Sequence, residues 1–88
     1  MKVIRKTLTG TSEGYTFDVP VVQFLVKNFS DNDILVNFEN IVITNEPSSI
    51  KIPAGTAQLV IDNEYGGRAF KTIYIKGTGE VEVQALLW

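Results

Sequence analysis

Almost the whole chain is written in short runs where apolar and polar residues alternate, and a turn signal closes each run after about ten residues. Residues 21–28 set Val22, Phe24 and Val26 on one side and Gln23 and Lys27 on the other. Residues 33–39 set Ile34, Val36 and Phe38 against Asn37 and Glu39. A period of two marks a strand with one buried face, and the abundance of β-branched residues suits a pleated surface. No segment sustains a period of 3.6 with caps, so almost no helix is expected. Strands recurring at this spacing predict an all-β chain. The expected architecture is an antiparallel β-sandwich, jelly-roll-like or Ig-like, of about seven to eight short strands.

The 88 residues suffice for one domain and not for two, so 1–88 is read as a single unit. Residues 2–8 form a first strand with Lys2 and Lys6 on the same side as Ile4 and Leu8, a poor inner face that suits an edge. Residues 9–14 are Thr, Gly, Ser and Glu only and read as a flexible loop. Residues 15–19 make a short extended piece before Pro20. The turn Ser30-Asp31-Asn32 joins the runs at 21–28 and 33–39 into a hairpin. Residues 41–44 add a short strand, and residues 49–52 turn Ile50 and Ile52 inward around Lys51. Pro53-Ala54-Gly55 ends that strand, since Pro presets one turn dihedral and Gly tolerates positive φ. Residues 56–62 set Ala57, Leu59 and Ile61 against Thr56, Gln58 and Asp62. After a loop over 63–68, residues 70–76 carry bulk on both faces. Gly77-Thr78-Gly79 turns the chain back, and residues 80–88 run Val81, Val83, Ala85 and Leu87 inward.

The chain contains neither cysteine nor histidine. That removes disulfides, thiolate nucleophiles, His-dependent triads and the usual zinc sites. The chain is read as a non-enzyme without cofactor or metal. A net charge of −2 and the lack of a basic stripe argue against a nucleic-acid partner. The one basic cluster, Lys2, Arg5 and Lys6, reads as a solubilising edge. No apolar run approaches the roughly 20 residues that span a bilayer, and the first residues lack the apolar centre of a signal peptide. No membrane partner is expected, and the expected location is cytoplasmic.

Several motif-like groups fail on spacing. An EF-hand loop starting at Asp31 needs Gly at its sixth position and Glu at its twelfth, where Val36 and Val42 stand. A looser calcium site would need Asp62 or Glu64 beside Asp31 and Asp33; the plain reading is a turn. Glu80 and Glu82 share a face at a spacing that a glycosidase pair could use, yet nothing apolar flanks them there until Leu86. They read as a solvated outer face. Gly77-Thr78-Gly79-Glu80 lacks the lysine and helix of a phosphate loop. Asn28-Phe29-Ser30 matches a glycosylation acceptor pattern and reads as the approach to a turn.

The same alternation puts Leu86 and Trp88 on the outer face, after Glu80, Glu82 and Gln84. Exposed Leu and Trp there mark a contact surface, unless the strand bulges and tucks them into the core. With Phe70 and Tyr74 they make the candidate interface: Leu86, Trp88, Phe70 and Tyr74. The expected partner is a second copy of the chain, in a homo-oligomer. The alternative is a ligand-binding module that offers Tyr65, Tyr74 or Trp88 as a platform for carbohydrate.

Three stretches resemble small structural proteins of tailed bacteriophages and prophages. They are Val26-Lys27-Asn28-Phe29-Ser30-Asp31-Asn32-Asp33-Ile34, Ile50-Lys51-Ile52-Pro53-Ala54-Gly55, and residues 73–83 with their Gly77-Thr78-Gly79 centre. The resemblance implies a β-sandwich with a closing hairpin on Gly-Thr-Gly, forming symmetric oligomers in a virion head or tail. Its partners would be itself and other virion proteins, in the cytoplasm of the producing bacterium and then in the particle. It assigns no catalytic or binding residues.

Overall fold

A computed structural model describes residues 3–39, 49–62 and 68–87. Among them are six strands and no helix: β1 (Val3–Val21), β2 (Gln23–Asn28), β3 (Ile34–Asn37), β4 (Ile50–Ile52), β5 (Ala57–Val60) and β6 (Phe70–Leu87). All pairings are antiparallel, and the strands make one sheet that curls nearly to closure, like a barrel. Its frame is the ribbon of β1 and β6, paired from Val21↔Phe70 to Val3↔Gln84. The other side of β6 is shared. β3 pairs residues 74–76, and β2 pairs residues 81–87. β4 extends the sheet beyond β3, and β5 extends it beyond β2.

Two expected loops are bends inside continuous strands. Residues 9–14, expected as a flexible loop, belong to β1: Thr9 faces Thr78 and Ser12 faces Lys76. Gly10 and Thr11 thus stand opposite Gly77 alone, one residue too many, and Gly10 has a φ of 100°. This is a β-bulge, and an extra residue moves side chains to the other face. Leu8 is buried before it, and Tyr15 and Phe17 are buried after it. The small polar residues that look like a loop are those a sharply bent strand requires.

β6 likewise runs through residues 77–79 without reversing, so the expected closing hairpin on Gly-Thr-Gly does not form; the partner of β6 is β1. Its inner face carries Ile73 and Ile75, then two glycines, then Val81, Val83 and Ala85. A Cβ at Gly77 would lie 2.6 Å from Ile34 Cγ2, and one at Gly79 would lie 2.5 Å from Ser30 Cβ. The glycines clear the concave corner for the chain between β2 and β3. Among the described residues the count is six rather than the seven to eight expected, and each bent strand is one element. The strand expected at 41–44 lies outside the described residues.

β2 and β3 do not form the expected hairpin. β2 lies between β6 and β5, and β3 between β4 and β6. The corner in β6 separates the stretches they pair, and residues 29–33 cross from one to the other. Asn28 holds this crossover and is 1% exposed. Its Nδ2 donates to the Asn32 carbonyl at 2.8 Å and lies 3.2 and 3.3 Å from those of Ile52 and Pro53. Its Oδ1 accepts the Ser30 N–H at 3.0 Å. One amide thus ties β2, the crossover and the β4–β5 turn. The glycosylation look-alike is a buried structural group.

The core collects Tyr15, Phe24, Ile34, Ile52, Ile73, Ile75 and Val81, all fully buried, around Phe17, Phe24 and Phe38, whose neighbouring rings lie 5.8 and 6.4 Å apart. β5 turns Val60 inward and Leu59 outward, because Val60 pairs with buried Phe24 and Leu59 with Leu25.

Gly79 has a φ of 90° and no room for a methyl, whereas Gly55 has a φ of 70° with open space around it. Gly79→Ala is expected to cost about 3 kcal/mol and Gly55→Ala about 1 kcal/mol, read as shifted urea midpoints at constant slope. Asn28→Asp sets a carboxylate against three carbonyls and is expected to cost about 2–4 kcal/mol in the same assay, against a smaller loss for the surface change Gln84→Glu.

Candidate interaction surface

Register builds one outer face from four strands. Leu59 faces Leu25, Leu25 faces Gln84, and Gln84 faces Val3. Their flanking residues Phe24, Val26, Val60 and Val83 point into the core, so this row points outward. Leu59 is 47% exposed and Val3 40%. Leu86 adjoins the row. Phe24 faces Ala85 but Gln23 faces Leu87, which leaves Leu86 as an extra residue on β6. The strand does bulge at the expected place, yet Leu86 stays 40% exposed rather than turning into the core.

The next row is Ala57, Lys27, Glu82 and Arg5. The Glu82 carboxylate receives Arg5 Nη2 at 2.7 Å, Arg5 Nε at 3.2 Å and Lys27 Nζ at 3.0 Å. Glu82 is therefore not part of a solvated face: its flanking cations cover it to 7% exposure. Hydrogen bonds from Arg5 and then Lys27 hold its carboxyl below the usual range, against the opposing effect of desolvation. A glycosidase general acid needs the opposite shift. Arg5 also reaches Glu80 at 3.6 Å and lies over the exposed Phe29 ring, 5.8 Å from its centroid. Lys6 turns inward, donating to the Gly14 carbonyl at 2.8 Å with its amine 5.3 Å from the Tyr15 ring centroid. Arg5 and Lys6 of the basic cluster are thus spent on the fold itself, and Lys2 lies outside the described residues.

Of the candidate interface residues, Leu86 lies on this surface and two others lie elsewhere. Tyr74 sits on the outer face of the first half of β6, its ring packed on Gly14 so closely that a Cβ there would meet ring Cε1 at 3.3 Å. Beside it the Thr16 and Thr72 hydroxyls share a 2.9 Å hydrogen bond. Phe70 stacks on Phe38 with centroids 4.7 Å apart and packs against the core, with the Arg68 guanidinium 5.3 Å from its centroid. Trp88 and Tyr65 lie outside the described residues. Sequence reasoning missed Val3, Leu25 and Leu59. The available signal was bulk on both faces of one strand, as in Phe24-Leu25-Val26 and Leu59-Val60.

The remaining polar groups serve the fold. Asp33 Oδ1 accepts the Ala54 N–H at 3.1 Å, and Asp62 Oδ2 accepts Arg68 Nη2 at 2.8 Å. Among the described residues no three Asp or Glu side chains gather as a metal site. The Tyr15 O–H donates to the Val81 carbonyl at 3.1 Å, and burial pushes its pKa up. No family model, curated protein or solved structure matches the chain.

A carboxyl with a depressed folded pKa adds stability above its ordinary value of 4.5 and loses that contribution as pH falls through the folded value. Glu82→Gln should therefore flatten the dependence. Between pH 6 and acid, the urea midpoint of the variant should fall less than that of the parent.

Proposed function

We propose that this chain is a non-enzymatic structural or assembly protein of a phage or prophage virion, acting through protein–protein contacts in a homo-oligomer. The outward row of Leu59, Leu25 and Val3, with bulged Leu86 beside it, carries the reading. Single exposed apolar residues are ordinary; several gathered on one sheet face are the usual sign of a contact surface. The adjoining Glu82 already has Arg5 and Lys27 as partners, so covering this face strands no carboxylate. The fold accords with a sandwich in which β1 and β6 bend from one leaf into the other. Other virion proteins are further partners under this reading, and the producing bacterium's cytoplasm and the particle are its locations.

A specific observation supports a second reading, a carbohydrate-binding module. The Tyr74 ring lies against Gly14 with two threonine hydroxyls alongside, an arrangement on which a sugar ring could stack. Titration with a sugar panel that leaves the Tyr74 resonances unmoved would end it.

For the leading reading, light scattering at roughly hundreds of micromolar should give a mass above the monomer. Leu59→Lys, at an exposed position, should shift that equilibrium toward monomer without altering the circular dichroism. A strict monomer at that concentration removes the reading.

A further inference from the structure

We propose that β5 is a strand-addition edge and that its occupant is β5 of a second copy, paired antiparallel about a two-fold axis at Gln58. The proposal rests on the homo-oligomer reading and names its contact. Among the described residues the sheet has open edges at β1, β4 and β5. An open edge is a template for another strand, and proteins blunt such edges with inward charges, bulges, proline or shortness. β1 is blunted three times: Lys6 turns inward, Gly10 bulges, and a second irregularity between Thr16 and Val21 contains Pro20. β4 is three residues long, with Lys51 at its centre and Pro53 after it. β5 is also short, at four residues, but it has no inward charge, bulge or proline. Residues 56–61, Thr-Ala-Gln-Leu-Val-Ile, hold no charge, proline or glycine, and Ala57, Gln58 and Leu59 are all exposed.

The hydrogen-bond pattern says which groups are on offer. The Asn28 N–H donates to the Thr56 carbonyl at 2.9 Å. Alternation along an antiparallel ladder then turns the Thr56 carbonyl and the backbone groups of Gln58 and Val60 toward β2 and those of Ala57 and Leu59 toward the open edge. A second β5, reversed so that Ala57 stands opposite Leu59, brings these groups together in four N–H···O bonds. Gln58 then faces Gln58 of the second copy across a non-hydrogen-bonded pair, where side chains come closest. No charge meets a like charge. Leu59 comes beside Ala57 of the second copy, so the apolar row of one copy runs on into the Ala57, Lys27 and Glu82 row of the other. This uncharged self-complementarity selects a second copy as the occupant.

Light scattering and residue-resolved amide exchange on the full chain test this. The Ala57 and Leu59 amides should exchange at least tenfold more slowly in the oligomer than after dilution to monomer, with Gln58 unchanged. Gln58→Lys and Gln58→Glu each place a like pair on the axis and should each be monomeric, with the parent circular dichroism. Mixing the two should restore a dimer, since lysine then faces glutamate. Self-association that survives both variants, or Ala57 and Leu59 amides that exchange freely in the oligomer, overturns edge pairing and leaves the homo-oligomer reading standing. Failure of the mixture to dimerise overturns the Gln58 axis. A strict monomer overturns both readings.

Discussion

Everything in this fold depends on β1 and β6 staying paired while both bend. The ribbon joins residues as far apart as Val3 and Gln84, and it turns a corner at Gly10 on one strand and Gly77–Gly79 on the other. A flat ribbon of that length would need covering on a long face. Bent, it covers itself: Tyr15 from the later half of β1 reaches the Val81 carbonyl on the later half of β6. Two different pairs of short strands then dock on its two halves, β3 with β4 and β2 with β5. The glycines are therefore permissive in a directed way. They cause no turn, and they leave the inner corner empty enough for Ile34 and Ser30 to enter.

The faces of the strands were legible from alternation, and their partners were not. Phe24, Val26, Ile34, Val36, Val81 and Val83 point inward as the period of two requires. That period is local, so a sequence carries it openly. Pairing is a long-range choice made by corner geometry, which is why β2 and β3 look like a hairpin and instead cross between halves of β6. Gly, Thr and Ser write both a reversal and a bend, so residues 9–14 and 77–79 read as breaks. β5 misleads for another reason: it carries apolar groups on both sides, and only its register with β2 decides that Val60 enters the core and Leu59 does not.

The candidate surface was only partly legible for the same cause. Leu86 stands out in sequence because it follows three polar residues at alternate positions. Val3, Leu25 and Leu59 become its companions only through three cross-strand registers. The ionic row is similar. Arg5, Lys27 and Glu82 come from three strands, and their union converts what looks like a solvated acid and a basic edge into one ion-paired network around a buried carboxylate. The charges of Arg5, Lys27 and Glu82 are already paired with one another within the chain.

This redistribution separates polar from apolar roles on the outer face. Glu82, Arg5 and Lys27 fasten three strands side to side, so they stiffen the platform on which the apolar row stands. The row itself ends at β5, an edge that among the described residues carries no inward charge, bulge or proline. Leu59 thus belongs both to the exposed face and to the open edge. Face stacking and edge addition are not rivals for separate surfaces, because each uses Leu59 and each leaves the ionic row intact. Edge addition alone also pairs the Ala57 and Leu59 backbone groups, and backbone pairing carries directional bonds that a stacked apolar face lacks. The sheet stops just short of closing like a barrel, and a closed barrel would have no such edge to offer. Under the edge-pairing proposal, incomplete closure is the feature through which a small all-β chain extends its sheet into another copy.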